Sequence, residues 1–362
     1  MPEQPARQLG GSPRRLFVVA LLAAVAGLAL TLSFGYADHD PRPHHVKIAV
    51  AAPAPVVQKL AAGLDHAAPG GFDLIHVSSA TAAISSVRSQ STAGGFVVPA
   101  TGATTIVTAG GNGTLEQTAI TGALSAAAAA VHRPTRALDV APLPTGDRSG
   151  LSPFVFVLGL LLPSVLASIG LFLLGARFRL WWRVAAATVF ALLAACAGTL
   201  ALDTILGGLT GAGGALIGIG FLGALTFVLF IAGVQAVVGM PGTGLAAVTF
   251  VFIGNAISGG SVAIAFLPAG FRQIAPWLPN AAIVSGVRDV VYFSGHHLGH
   301  PLVVLGLWLL VGFAMVVGVD LLHLHARRNT PPEGQGAIYA TSGLVHARRL
   351  LANRHSPSVA AQ

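Results

Sequence analysis

Residues 153–183 read PFVFVLGLLLPSVLASIGLFLLGARFRLWWR, from Pro153 to Arg183. The first 24 carry no charge, and Arg177, Arg179 and Arg183 then follow within seven positions. A helix needs ~20 apolar residues to cross a ~30 Å hydrocarbon layer. The uncharged part is therefore a predicted membrane span, and the arginines mark the aqueous boundary where it stops. Arginine at such a boundary favours the cytoplasmic face.

The same pairing recurs at both ends of the chain. Arg7, Arg14 and Arg15 precede the apolar run Leu16–Ala37, and Arg327 and Arg328 follow the run Pro301–Leu324. With Arg348, Arg349 and Arg354 further along the tail, eleven of the eighteen arginines lie in these three places. Between them, residues 38–150 carry seven basic and seven acidic side chains, so placing the three clusters inside puts the whole formal +8 on one face. Six spans achieve this: 16–37, 153–175, 180–202, 213–238, about 245–261, and 301–324. Dropping or adding one strands a cluster outside. The expected protein is thus an α-helical polytopic membrane protein of a plasma membrane, with both termini cytoplasmic. A cleaved signal, with Arg14-Arg15-Leu16-Phe17 as a twin-arginine motif and Gly35-Tyr36-Ala37 as its cleavage site, fits less well, because the run exceeds a signal's apolar core.

Composition agrees. The 362 residues are 54% hydrophobic and 9% charged, with a mean hydropathy of +0.77 and a pI of about 11.0. A soluble domain is rarely so apolar. The basic balance comes from boundary arginines without an aromatic-studded basic stripe, which argues for anionic lipid and against nucleic acid as the counter-charge. The lone Cys196 excludes an intrachain disulfide.

The segments divide as a cytoplasmic N-terminus 1–15, a first span 16–37, an extracytoplasmic domain 38–150, a five-helix membrane domain 151–325 and a cytoplasmic tail 326–362 expected to be disordered. In 38–150, strands are predicted at Val46–Val50, Phe72–Val77, Gly95–Val98, Thr104–Thr108 and Ala137–Val140. Helices are predicted at Pro55–His66, Ala80–Ser89 and Thr114 to about Val131, the last opened by a Thr114/Gln117 capping box. Strands alternating with helices imply an α/β sheet domain. The segment 266–300 is apolar but broken by Pro268, Pro276 and Pro279. Arg272, Arg288 and Asp289 would be costly at the bilayer centre. Two short helices re-entering from outside, or lying on that surface, are expected.

Few residues suggest chemistry. The phosphate-cradling G-x-x-x-x-G-K-[ST] loop requires lysine after glycine. The two lysines, Lys47 and Lys59, stand elsewhere, so nucleotide hydrolysis would fall to a separate subunit. No serine occupies a G-x-S-x-G elbow, so no hydrolase constellation is assembled, and neither enzymatic activity nor a cofactor is expected. The turn Gly110–Gly113 could offer amides to an anion. Histidines gather at His39, His44 and His45 beside Asp38 and Asp40, and again at His296, His297 and His300. Such groups could bind zinc or copper or sense pH, yet neither spacing matches a metal motif. Solvated interface residues are the plainer account, and no metal is assigned. Asp320, with His323 one turn on, is the ionisable candidate for ion coupling. Gly207/Gly211 and Gly214/Gly218 stand at helix-turn spacing and suggest close helix approach.

The string Gly254-Asn255-Ala256-Ile257-Ser258-Gly259-Gly260, then Leu267-Pro268, Trp277-Leu278-Pro279 and Val287-Arg288-Asp289, resembles the last third of ABC-2-type permeases. More narrowly it resembles the phage-infection-protein-like branch, where a span, a large outer domain and five further spans follow in this order. The motif likeness covers about Val251–Phe293. It implies the membrane subunit of an exporter, a homodimer, driven by a separate ATP-binding subunit, with lipids, polymers, drugs or peptides as substrates. Asn255, Arg272, Arg288, Asp289 and Asp320 become the candidate gate or pathway residues. The chain departs from the pattern in two places. Pro2, Pro5 and Pro13 interrupt the N-terminal segment where an amphipathic helix would lie, and the loop 176–183 is short for a coupling helix.

The expected function is export of a hydrophobic or envelope-related substrate from a bacterial cell. Two alternatives stand beside it: a non-transporting envelope protein whose outer domain binds a ligand or partner, and an ion-coupled efflux protein.

Overall fold

A computed structural model describes residues 13–130, 134–175 and 177–328. The chain opens with helix α1 (Pro13–Asp38). An α/β unit follows, with β1 (Val46–Ala51), α2 (Ala54–Ala67), β2 (Phe72–His76), α3 (Ala80–Arg88), β3 (Gly94–Val97), β4 (Thr104–Thr108), α4 (Thr114–Ala130) and β5 (Thr135–Asp139). The helical domain comprises α5 (Ser152–Gly175), α6 (Leu180–Thr199), α7 (Gly213–Val238), α8 (Pro241–Ala247), α9 (Ala269–Ile274), α10 (Pro279–Tyr292) and α11 (Gly299–Arg328).

The five strands form one sheet in the order β2-β1-β3-β4-β5, parallel except for the antiparallel pair β3–β4. Side chains alternate across it as a pleated strand requires. Val46, Ile48 and Val50 join the core shared with α2 and α4, whereas Ala49 faces Ala83 and Val87 of α3. Each predicted strand and helix appears within two residues of its expected bounds. The capping box does not form as predicted: Thr114 donates its hydroxyl to the Ser149 carbonyl, and Gln117 Nε2 donates to Asp139 at 2.7 Å. Both side chains serve tertiary contacts instead.

Among the described residues, five helices are long and apolar enough to cross a membrane, namely Ala20–Asp38, Ser152–Gly175, Leu180–Ile205, Gly213–Val238 and Gly299–Leu322. Their outward faces carry exposed Leu21, Leu28, Leu166, Leu193 and Leu310, which water would penalise and lipid would accept. The expected span near 245–261 is a shorter apolar helix, Pro241–Gly254. Its second half, Val248–Gly254, winds in wide π-helical turns. Such turns release carbonyls from the helix ladder. Two of them are claimed from outside: Ser33 of α1 donates to Phe252 O at 2.7 Å, and Asn280 of α10 donates to Phe250 O at 3.1 Å.

Within 266–300 the two short helices differ: α9 stays at the surface with no buried residue, whereas α10 re-enters. Helix α10 is inserted among α5, α7 and α11, burying Asn280, Ile283, Val284 and Val287. A Cβ on Gly223 would stand 2.6 Å from Ile283 Cδ1, and Gly223 lies ~15 Å along α7 at 1.5 Å per residue. The insertion therefore reaches about halfway down that helix. Close helix approach falls on other glycines than those expected. A Cβ on Gly233 would meet the Gly312 carbonyl at 2.7 Å, fixing α7 against α11. Gly207, Gly211, Gly214 and Gly218 have nothing within 4 Å, and the first two, with φ of +63° and +91°, belong to the turn between α6 and α7.

Helices α5 and α6 run antiparallel, so the arginine hairpin Arg177–Arg183 lies at the end remote from the α/β unit. Arg183 there approaches Asp320 of α11 at 4.0 Å. That contact places the hairpin and the end of α11 on one side. Residues 1–12 and 329–362 lie outside the described residues, and of the expected tail 326–362 the first three residues continue α11.

Candidate functional site

The α/β unit shares its core with Phe266, Leu267 and Leu278 of the helical domain, and meets it also through the C-terminal half of α10. The sequence forces a close fit there, because Gly111 and Gly113 lack side chains where α10 arrives. A Cβ on Gly111 would stand 2.6 Å from Tyr292 Cβ, and one on Gly113, whose φ is +113°, would stand 3.2 Å from Arg288 Nη2. The glycine turn is thus a docking surface for α10. Its amides are engaged within the domain: Gly110 N donates to Asp139 Oδ1 at 3.0 Å and Gly111 N to Ala141 O at 2.8 Å. Asn112 N and Gly113 N are engaged as well, by Ala109 O and Gly110 O, so the turn's own four amides do not serve an anion.

Arg288 is the centre of the junction. Nη1 donates to Gly259 O at 2.7 Å and Nη2 to Gly260 O at 3.2 Å. A planar fork presents two donors in fixed geometry to two successive carbonyls, and a lysine ammonium has no such fixed fork. Gly259 has a φ of +79°, and a Cβ on Gly260 would stand 2.6 Å from the Phe154 ring, so the double glycine is what the turn requires. Ser258 secures it further, donating to Asn255 O at 2.9 Å and accepting from Gly260 N at 3.2 Å. Asp289, 2% exposed, accepts from His297 N at 2.8 Å through Oδ2, and its Oδ1 has no partner among the described residues.

Glu116 of α4 faces the same junction. It is buried and accepts from Asn112 Nδ2 at 2.9 Å. Burial pushes its carboxyl up to about 7, against the opposing pull of the Arg288 charge and the Asn112 bond. Asp147, also buried, accepts from Leu151 N at 3.0 Å and Ser152 N at 2.8 Å, satisfying amides at the start of α5.

A cleft of about 480 Å³ opens between the two parts. Its walls include His45, Lys47, Glu116, Arg288, Asp289, His297 and His300. One member of the first histidine group and two of the second therefore converge on one cavity. Among the described residues, however, no three His, Cys, Asp or Glu side chains stand close enough to hold a metal ion. His45 Nδ1 instead contacts Asp73 Oδ1 at 3.2 Å.

Of the five candidate residues, Arg288 and Asp289 line the cleft; Asn255, Arg272 and Asp320 do not. Asn255 is buried behind it, with Oδ1 lacking a partner among the described residues. Arg272 lies in α9, near His44, whose imidazole is lowered by burial and then by the Arg272 charge. Asp320 lies at the opposite end with Arg183; the side chain of His323 is outside the described residues. Sequence reasoning missed Glu116, Asp147 and Tyr292. The signal available for Glu116 was its place two residues into the helix that follows the glycine turn.

The chain matches no protein-family model, and comparisons with curated proteins and with solved structures also find no match.

Proposed function

We propose that the chain is the membrane subunit of an ABC-2-like exporter in a bacterial plasma membrane, moving a hydrophobic or envelope-related substrate with ATP hydrolysed on a separate subunit. In this reading Pro241–Gly254 is the fifth of six spans, shortened by its wide turns. The α/β unit lies outside the cell, both termini lie inside, and the subunit works as a homodimer. The cleft is the outer mouth of the pathway. Arg288 and Asp289 brace it.

One observation carries the reading. Three of the four sequence strings of the resemblance, all set between Gly254 and Asp289, pack against one another. Asn280, just after Trp277-Leu278-Pro279, reaches the Phe250 carbonyl, and its Oδ1 stands 2.5 Å from where a Gly254 Cβ would lie. Arg288 of Val287-Arg288-Asp289 grips Gly259 and Gly260. Such a broken, inserted segment is tolerated at membrane depth where protein or a watery cavity covers it.

The test is purification of the full chain from its native membrane in mild detergent after brief cross-linking. Co-elution of an ATP-hydrolysing subunit is the expected result. A chain recovered without such a subunit, from cells in which a control exporter retains its own, overturns the proposal.

A further inference from the structure

At the arginine-bearing end, α5 and α6 diverge and leave a groove of about 520 Å³. It runs along α5 to Gly175 and along α6 from Trp182 to Phe190, ~12 Å of helix on each side at 1.5 Å per residue. Leu171, Leu174, Phe178, Trp182 and Phe190 make its walls, and the one charged side chain among them is Arg183.

Arg183 is held at the mouth of the groove. Its stem crosses Gly175, where a Cβ would stand 3.4 Å from Arg183 Cγ. Its side chain is 20% exposed, and Nη1 is 4.0 Å from Asp320, beyond hydrogen-bond reach. Nε is buried and has no hydrogen-bond partner among the described residues. Arg177 and Arg179 stand exposed beside it. Trp181 and Trp182 stack at 3.8 Å and are both more than half exposed, as rings at a headgroup boundary are.

We propose that this groove is a binding site for an anionic phospholipid, with one acyl chain between α5 and α6 and the phosphate on Arg183 and Arg179. The apolar walls accept hydrocarbon, and the Nη end of Arg183, which comes only within 4.0 Å of Asp320, supplies a charge-assisted bond to a phosphate oxygen. A second copy of the chain fits poorly, because it would bring two sets of three arginines face to face.

The experiment uses the full chain in detergent, delipidated and then offered phosphatidylglycerol or phosphatidylcholine, with bound lipid counted by native mass spectrometry. Retention of phosphatidylglycerol should exceed that of phosphatidylcholine at least fivefold. Arg183→Gln should remove the preference. Gly170→Leu, at a position whose Cβ would meet nothing within 4 Å, should fill the groove and lower retention of both lipids at least fivefold. If Arg183→Gln does not fold, Arg179→Gln together with Gly170→Leu decides the matter. Equal retention of the two lipids, or undiminished phosphatidylglycerol on Gly170→Leu, overturns the proposal. So does efficient disulfide formation between two copies carrying Leu174→Cys in a Cys196→Ser background.

Discussion

Arg288 Nη1 donates to the carbonyl oxygen of Gly259 at 2.7 Å, and through that bond an inserted helix holds the turn where the preceding apolar helix ends. The same guanidinium lies against Gly113 of the α/β unit. One side chain therefore couples three segments, and its loss is expected to be felt in both domains.

Replacing Arg288 by alanine removes two charge-assisted bonds and leaves two buried carbonyls unmatched, at ~1.5–3 kcal/mol per bond. Lysine restores one bond at most. Thermal unfolding of the purified chain should rank wild type above Arg288→Lys above Arg288→Ala. Equal stability of the lysine variant and wild type would show that the forked geometry is not used.

Gly111→Ala should loosen the junction, because its new methyl would stand within 2.6 Å of Tyr292. Contacting residues couple energetically by ~0.5–3 kcal/mol. Removing the partner's Cβ as well, in Gly111→Ala/Tyr292→Gly, should recover part of the loss, because Tyr292 Cβ is among the nearest atoms. Limited proteolysis at the linker 142–150 reports the effect; strictly additive damage in the double variant would place the fault elsewhere.

Glu116 gives the junction a pH dependence. Its value in the fold, about 7, lies above its ordinary 4.5, so folding favours the neutral acid. Stability from this group is complete below about 4.5 and is lost as pH rises through about 7. The full span is on the order of 3 kcal/mol for a group this buried. Glu116→Gln should flatten the profile of unfolding temperature between pH 5 and 8 and be the more stable protein at pH 8. An unchanged slope would mean that the carboxyl is solvated.

Asp320 separates two mechanisms. Its contact with Arg183 is long and partly exposed, and such pairs contribute ~0–1 kcal/mol. Asp320→Asn should leave folding and transport nearly unchanged. Abolished transport with the proton gradient intact would instead favour ion-coupled efflux.

Topology is open to direct labelling. In a Cys196→Ser background, Gln90→Cys in the α/β unit should react with a membrane-impermeant maleimide added to intact cells, and Arg179→Cys should react only after the membrane is opened. The reverse pattern would invert the protein and remove the exporter proposal.

What the sequence by itself determined was the solvent of each segment and the local elements. A run such as 153–176 without a charge is favoured by hydrocarbon wherever the rest of the chain goes, and strand alternation at Val46–Val50 is a local property of the pleat. Tertiary structure alone decided that α10 is buried instead of lying on a surface, that Thr114 and Gln117 bond away from their own helix, and that Gly233 and Gly312, instead of Gly214 and Gly218, bring helices together. These depend on partners distant in the chain. Ser33 meets Phe252 across 219 residues and Arg288 meets Gly259 across 29. Hydropathy reports what a side chain avoids; only packing chooses which particular carbonyl, ring or glycine it meets.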